Sequence, residues 1–176
     1  MSTPNFNIQR ATEADLEELQ SISMRTFCQA FERFNKAEDM ELYLTNCLSI
    51  EQLHTEMNTP GSEFYLGRMG NEAVGYLKLN HHNSKHDALD TKGLEIERIY
   101  VEEAYLGKGI GPALFTFVRE LAEQGNATHI WLGVWEHNSR AIRFYEKLAF
   151  IPFGTHVFML GNDTQTDILM RKELYS

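Results

Sequence analysis

The chain has 176 residues, of which 43% are hydrophobic and 23% are charged, and this length and balance predict one globular domain over residues 1–176. Its formal net charge of −9 argues against nucleic acid as the main partner, because phosphate binding needs a basic surface. No apolar run approaches the ~20 residues of a membrane span, and residues 1–10 lack the basic and apolar parts of a signal peptide, so we expect a cytoplasmic protein without a membrane partner.

The first half of the sequence predicts helices followed by a hairpin of strands. Thr12 and Asp15 form a capping-box pattern, and apolar residues recur at helical spacing from there to Phe31. A second helical region ends at Pro60-Gly61. The predicted elements are an edge strand at 6–8, helices at 16–31 and 38–57 with a break near Ser49, strands at 63–69 and 73–80 joined by a turn at 70–72, and a polar loop at 81–93.

The second half of the sequence alternates strands and helices. Its clearest helical stripe is followed by Gly125, which suits a helix C-terminus, and Pro112 is tolerated there because it falls in the first turn. The predicted elements are strand 94–101, helix 109–124, strand 129–134, helix 139–148, and strands 153–160 and 166–173 with a turn at Asn162-Asp163. This order predicts a mixed α/β fold.

A glycine-rich turn lies between a predicted strand and a predicted helix: Gly107-Lys108-Gly109-Ile110-Gly111. Residues without Cβ let the backbone fold around an anion, and the helix N-terminus adds partial positive charge. The turn therefore predicts a pyrophosphate site, with a plain tight turn as the alternative. It is not a P-loop, since no hydroxyl residue follows Lys108, and it is not a dinucleotide fingerprint, since Pro112 holds the place of the third glycine.

A second motif covers residues 135–150, WEHNSRAIRFYEKLAF. Asn138 and Ser139 can cap a helix, and Tyr145 lies on the apolar face of that helix. Taken alone, the pattern indicates an amphipathic helix with a core tyrosine.

Together, the two motifs resemble the GNAT acetyltransferase superfamily in order and spacing. That family has an Arg/Gln-x-x-Gly-x-Gly/Ala turn and, after a further strand, an Asn-x-x-Ala-x-x-Phe-Tyr-x-Lys-x-Gly-Phe helix. Here residues 106–111 and 138–150 match, except that Leu106 replaces Arg or Gln and Ala149 replaces glycine. The resemblance implies one domain with a mixed, mostly antiparallel sheet of six to seven strands flanked by about four helices. It also implies acetyl transfer from acetyl-CoA to an amine, without a metal.

The resemblance assigns an acetyl-CoA site residue by residue. The backbone of Ile99, Tyr100 and Val101 would pair with the pantetheine arm, Asn138 would bind pantetheine, and Lys147 would approach the phosphates. The pyrophosphate would be held by Gly107, Lys108, Gly109, Ile110, Gly111 and Pro112.

The reaction needs a base to deprotonate the amine and an acid to protonate the departing thiolate. The resemblance gives the acid role to Tyr145, whose phenol is a neutral donor at pH 7. Glu97 is the candidate base, acting through water. Glu95 is its rival, because strand alternation puts both on one face, and either glutamate could instead pair with Arg98 or a solvent-side lysine.

The sequence of residues 97–101 and 133–138 resembles that of the bacterial spermine/spermidine N-acetyltransferases. Residues 32–63 hold seven acidic against two basic residues, which favours a cationic small-molecule amine such as a polyamine. Three alternatives stay open: a non-catalytic acetyl-CoA-binding module, an enzyme acting on peptide or protein amino groups, and a homodimer in place of a monomer.

Histidines and cysteines do not predict a metal site. His81, His82 and His86 lie in one polar stretch with Asp87 as the nearby carboxylate, which favours a solvated loop. Cys28 and Cys47 lack metal-ligand or redox spacing and are expected to be reduced thiols.

Overall fold

A computed structural model describes residues 5–81 and 92–175. These residues form one seven-stranded mixed sheet and five α-helices, which confirms the predicted fold class with one helix more than expected. The helices are α1 (Leu16–Phe31), α2 (Ala37–Cys47), α3 (Ile50–Met57), α4 (Ile110–Gln124) and α5 (Ser139–Lys147). The strands are β1 (Phe6–Arg10), β2 (Ser62–Met69), β3 (Glu72–Asn80), β4 (Gly93–Val101), β5 (His129–Trp135), β6 (Ile151–Leu160) and β7 (Asp163–Glu173).

Local sequence signals set the element boundaries. Thr12 and Asp15 form the expected capping box, and Ser49 caps α3 by accepting a hydrogen bond from the Gln52 N–H, so the predicted break between α2 and α3 is confirmed. The turn predicted at Asn162-Asp163 is wrong by one residue. It lies at 161–162, since Gly161 adopts the left-handed φ of +60° that a tight turn favours. Most of the predicted polar loop, including His82 and His86, lies outside the described residues.

The strand order is β1-β2-β3-β4-β5-β7-β6. Among the seven described strands, β4 and β5 are the one parallel pair. Their pairing covers Gly93–Ile96 and His129–Leu132, although β4 continues to Val101 and β5 to Trp135. We call the region beyond the last pair, Ile96 and Leu132, the β4–β5 gap. Because β7 returns antiparallel beside β5, the gap is flanked by β3 and β4 on one side and by β5 and β7 on the other.

Each face of the sheet carries its own core. Helices α4 and α5 cover one face around Leu114, Val118 and Ile130, whereas α1, α2 and α3 cover the other around Ile22, Leu53 and Tyr76. None of the five described helices has the length and hydropathy of a membrane span.

A β-bulge resets side-chain alternation in β4. Leu79 pairs with Ile96 and Lys78 with Arg98, so Glu97 is the extra residue. Beyond the bulge, Ile99 packs towards α4, while Arg98 reaches Glu56 of α3 on the opposite face. The bulge therefore directs the polar side chains of β4 towards α1–α3.

Candidate active site

The glycine turn presents backbone N–H groups at the start of α4. Gly107 and Gly109 adopt φ values of +76° and +84°, which side chains with a Cβ rarely tolerate, and a Cβ built on either would meet nothing within 4 Å. Among the described residues, no hydrogen bond takes up the N–H groups of Gly107, Gly109, Ile110 or Gly111. An open loop of unpaired donors at a helix N-terminus is suited to an anion.

Helix α5 lies against this turn. A Cβ on Gly111 would lie 3.6 Å from the Phe144 ring, so the first turn of α4 and the middle of α5 are in contact. At the N-terminus of α5, the Asn138 Oδ1 accepts a hydrogen bond from the Ala141 N–H at 3.2 Å. The capping role predicted for Asn138 is therefore confirmed, and its Nδ2 makes no hydrogen bond within the described part of the chain.

Tyr145 is buried in the same helix. Its ring packs edge-on against Phe144 and Phe150, with centroid distances of 5.4 and 5.7 Å. Burial raises the pKa of its phenol well above the usual range, and the hydroxyl has no hydrogen-bond partner among residues 5–81 and 92–175. The phenol is therefore a neutral donor at pH 7. Burial raises the pKa of Tyr100 on β4, and Tyr145 is among the nearby tyrosines that add to this shift, so the two side chains lie near each other.

Three further predicted site residues lie at the β4–β5 gap. Ile99, Tyr100 and Val101 follow the last β4–β5 pair, and on their other side they pair with residues 75–77 of β3. Lys108 is exposed in the glycine turn, with Nζ 5.1 Å from the Tyr105 ring centroid. Lys147 is exposed in the last turn of α5.

Glu97 belongs to a charged cluster that the sequence did not predict. Lys78 of β3, only 3% exposed, places its Nζ 2.5 Å from Glu97 Oε2 and 3.0 Å from Glu56 Oε2. Asn80 Nδ2 donates to Glu95 and Glu97, at 2.9 Å each. The two glutamates thus converge on one amide, and Glu97 forms an ion pair with the buried Lys78.

Arg98 pairs with Glu56, which anchors α3 to the sheet. Its two terminal nitrogens contact both Glu56 oxygens at 3.1 and 3.3 Å. The pKa of Arg98 is raised above its usual range although burial opposes this, because the nearby Tyr76, Tyr43 and Glu56 favour the cation. A signal for this cluster did exist in the sequence, since Lys78 interrupts the apolar run of β3.

The acidic segment 32–63 divides into structural and exposed residues. Asp39 is buried and accepts a hydrogen bond from the Asn162 N–H at 2.9 Å. Glu56 is paired as described, and Glu63 accepts a hydrogen bond from the Tyr65 hydroxyl at 2.6 Å. The exposed acids are Glu32, Glu38, Glu41 and Glu51. Fewer charges therefore face solvent than the sequence count implies.

The remaining predictions from the sequence concern histidines and cysteines. His81 Nε2 lies 3.1 Å from Glu63 Oε2. Across the described ranges, no group of three or more His, Cys, Asp or Glu side chains is arranged to hold a metal ion. Cys28 and Cys47 are partly buried free thiols, and burial raises the pKa of each.

The contact between the glycine turn and α5 brings together the two motifs on which the resemblance to acetyl-CoA-dependent N-acetyltransferases rests. The profile of the acetyltransferase (GNAT) family matches residues 17–150, and the chain belongs to this family. An uncharacterised N-acetyltransferase of Lactobacillus delbrueckii subsp. lactis is 41% identical over 167 residues, which cover 95% of this chain and 96% of that relative. The enzyme is therefore an acetyl-CoA-dependent N-acetyltransferase.

Two further comparisons concern the fold and the polyamine branch. The crystal structure of the PaiA N-acetyltransferase from Thermoplasma acidophilum, in complex with coenzyme A, superposes with a TM-score of 0.79 at 19% identity, over 96% of this chain and 98% of that one. The spermine/spermidine N(1)-acetyltransferase of Bacillus subtilis is 34% identical over 56 residues, or 31% of this chain and 37% of that relative.

Proposed function

We propose that this enzyme transfers the acetyl group of acetyl-CoA directly to a primary amine of a polyamine such as spermidine or spermine. Glu97 acts as the base through water, and Tyr145 acts as the general acid. The observation that carries the proposal is the contact between the glycine turn, with its unpaired N–H groups, and the helix that bears Asn138 and Tyr145.

The residues of the turn fit the pyrophosphate of acetyl-CoA. The four free N–H groups of residues 107–111 and the N-terminus of α4 offer donors and partial positive charge to an anion. Asn138 offers its Nδ2 to the pantetheine arm, and the backbone of residues 99–101 offers an unpaired strand edge at the gap. When bound, acetyl-CoA supplies the activated thioester carbonyl.

The two proton transfers are assigned to opposite sides of the gap. Tyr145 holds a neutral phenol that can protonate the departing thiolate. The Glu97 carboxylate, 2.5 Å from the Lys78 ammonium, accepts a proton relayed by water from the amine. Glu95, held by the same Asn80 amide, is the alternative base.

Charge and similarity support a polyamine acceptor. The four exposed acids of residues 32–51 lie on the α1–α3 side, towards which the bulge directs Glu97. An acidic wall raises the local concentration of a polycation. The similarity to the B. subtilis spermine/spermidine enzyme favours the same class of acceptor.

An amine panel tests the proposal. Thiol release from acetyl-CoA would be measured with spermidine, spermine, butylamine and a peptide with a free N-terminus. We expect kcat/KM for spermidine to exceed that for butylamine by at least about tenfold, because the polycation gains electrostatic attraction. A peptide preferred over both polyamines would contradict the proposed acceptor and leave the family assignment intact.

A pair of matched variants tests the base. Glu97→Gln should lower kcat/KM at neutral pH, and the loss should shrink as pH rises, because more free amine is then available. Glu95→Gln removes the same charge from the same Asn80 contact. If only Glu95→Gln shows this pH-dependent loss, Glu95 is the base.

A further inference from the structure

Asp167 is a partly buried carboxylate that no described side chain holds by a hydrogen bond or a close ion pair, although the exposed His156 lies near it. It lies in β7, in register with Trp135 of β5 on one side and His156 of β6 on the other. Within the described part of the chain, no hydrogen bond or ion pair reaches its carboxylate. Burial raises its pKa, and His156 partly opposes the shift. Partial removal of a charge from water without a partner carries a free-energy cost, which a cationic ligand would offset.

The Asp167 side chain packs over a glycine of the neighbouring strand. A Cβ on Gly133 would lie 3.4 Å from Asp167 Oδ2 and 3.6 Å from Asp167 Cβ, so the Asp167 side chain lies over the backbone of β5. Gly133 directly follows Leu132, the last β5 residue paired with β4. Asp167 is therefore beside the β4–β5 gap.

Aromatic side chains connect Asp167 to the base side of the gap. Trp135 lies directly across from Asp167 and packs edge-on against Phe31, with ring centroids 6.1 Å apart. Phe31 in turn contacts Tyr100 of β4 at 6.3 Å. All of these rings belong to the α1–α3 face, towards which Glu97 also points.

We propose that Asp167 and Trp135 form a subsite for a second ammonium group of the acceptor, with the carboxylate as counter-ion and the indole as a cation–π wall. The proposal rests on the function proposed above. Asp167 and Glu97 lie on strands separated by β5, and β4 and β5 are unpaired at this level, so the two residues are at least two strand spacings, or ~10 Å, apart. That separation suits an acceptor whose attacking amine and next ammonium are joined by a short aliphatic chain. Aromatic faces attract desolvated cations, and the ligand charge would pair with Asp167.

The variant Asp167→Asn removes the charge and keeps the shape of the side chain. We expect KM for spermidine to rise by at least about tenfold, while kcat/KM for butylamine and KM for acetyl-CoA change by less than about twofold, since a monoamine has no second ammonium. The matched control is Glu120→Gln, which makes the same change in net charge at an exposed position on α4. It should leave all three constants unchanged.

Thermal unfolding separates binding from structure. Because the carboxylate has no partner in the described chain, Asp167→Asn should leave Tm unchanged or raise it, whereas a structural aspartate would lower it. Equal KM effects on spermidine and butylamine, or a spermidine KM that does not change, would overturn the subsite. Wild-type activity on monoamines alone would overturn the polyamine acceptor and the subsite together. If the wild-type enzyme acetylates spermidine and Asp167→Asn leaves the spermidine KM unchanged, the subsite is refuted and the polyamine acceptor is not.

Discussion

Replacing Lys78 with methionine perturbs the charged cluster on the bulged strand. Methionine keeps an apolar stem in a position that is 3% exposed, and it removes the ammonium that Glu97 and Glu56 share at 2.5 and 3.0 Å. Glu56 retains its two contacts with Arg98. Glu97 keeps the hydrogen bond from the Asn80 amide, but the ammonium that lies between its carboxylate and that of Glu56 is gone.

The expected loss of stability is large and depends on pH. Removing one partner of a buried ion pair costs about 3–5 kcal/mol, because the other charge stays buried, and the side chain of Glu97 is 20% exposed, so we expect about 3 kcal/mol. The total stability of a domain is typically about 5–15 kcal/mol. In the variant, protonation of a glutamate relieves the repulsion. The loss should therefore be greatest above neutral pH and should shrink as pH falls towards ~5.

Urea unfolding at low and neutral pH measures this effect. The double variant with Lys78→Met and Glu97→Gln is the control, since it removes both charges and should recover most of the lost stability. A cost for Lys78→Met below about 1 kcal/mol that is independent of pH would refute the reasoning. It would mean that the cluster is solvated well enough to need no internal cation.

Three further predictions concern the predicted site residues. Tyr145→Phe keeps the ring packing and removes the donor, so kcat should fall by about 10²-fold with nearly unchanged acetyl-CoA affinity by calorimetry; an unchanged kcat would assign Tyr145 to the core alone. Gly109→Val forces a β-branched residue to a φ of +84° and should weaken acetyl-CoA binding by at least about tenfold. Gly111→Ala, whose methyl meets the Phe144 ring at an ordinary 3.6 Å, should have a smaller effect, and equal effects would contradict a role for backbone conformation. For spermidine, kcat/KM should fall with added salt, because salt screens the attraction between a polycation and the exposed acids. The double variant Glu38→Gln/Glu41→Gln should reduce that salt dependence. Equal salt responses for spermidine and butylamine would contradict electrostatic attraction of the polyamine by these acids.

Much of the fold and of the predicted cofactor site could be predicted from the sequence, because the signals are local. Apolar spacing predicted the helices and strands, and the residues that cap α3 and α5 lie within three positions of the N–H groups they bind. The glycines of residues 107–111 indicated a backbone that folds around an anion, and Gly107 and Gly109 adopt left-handed φ values in that turn. A φ angle or a helix cap is decided by a few neighbouring residues, so these features can be predicted from the amino-acid sequence.

The pairing of charged side chains around the site depended on the tertiary structure. The bulge at Glu97 depends on the register between β3 and β4, and the pairing of Glu56 with Arg98 joins residues 42 positions apart. Asp167 reaches Gly133 only because β7 lies between β5 and β6. Local sequence determines which backbone shapes a segment can adopt. Which carboxylates meet a lysine depends on contacts between distant segments, and these contacts are fixed only when the whole sheet assembles.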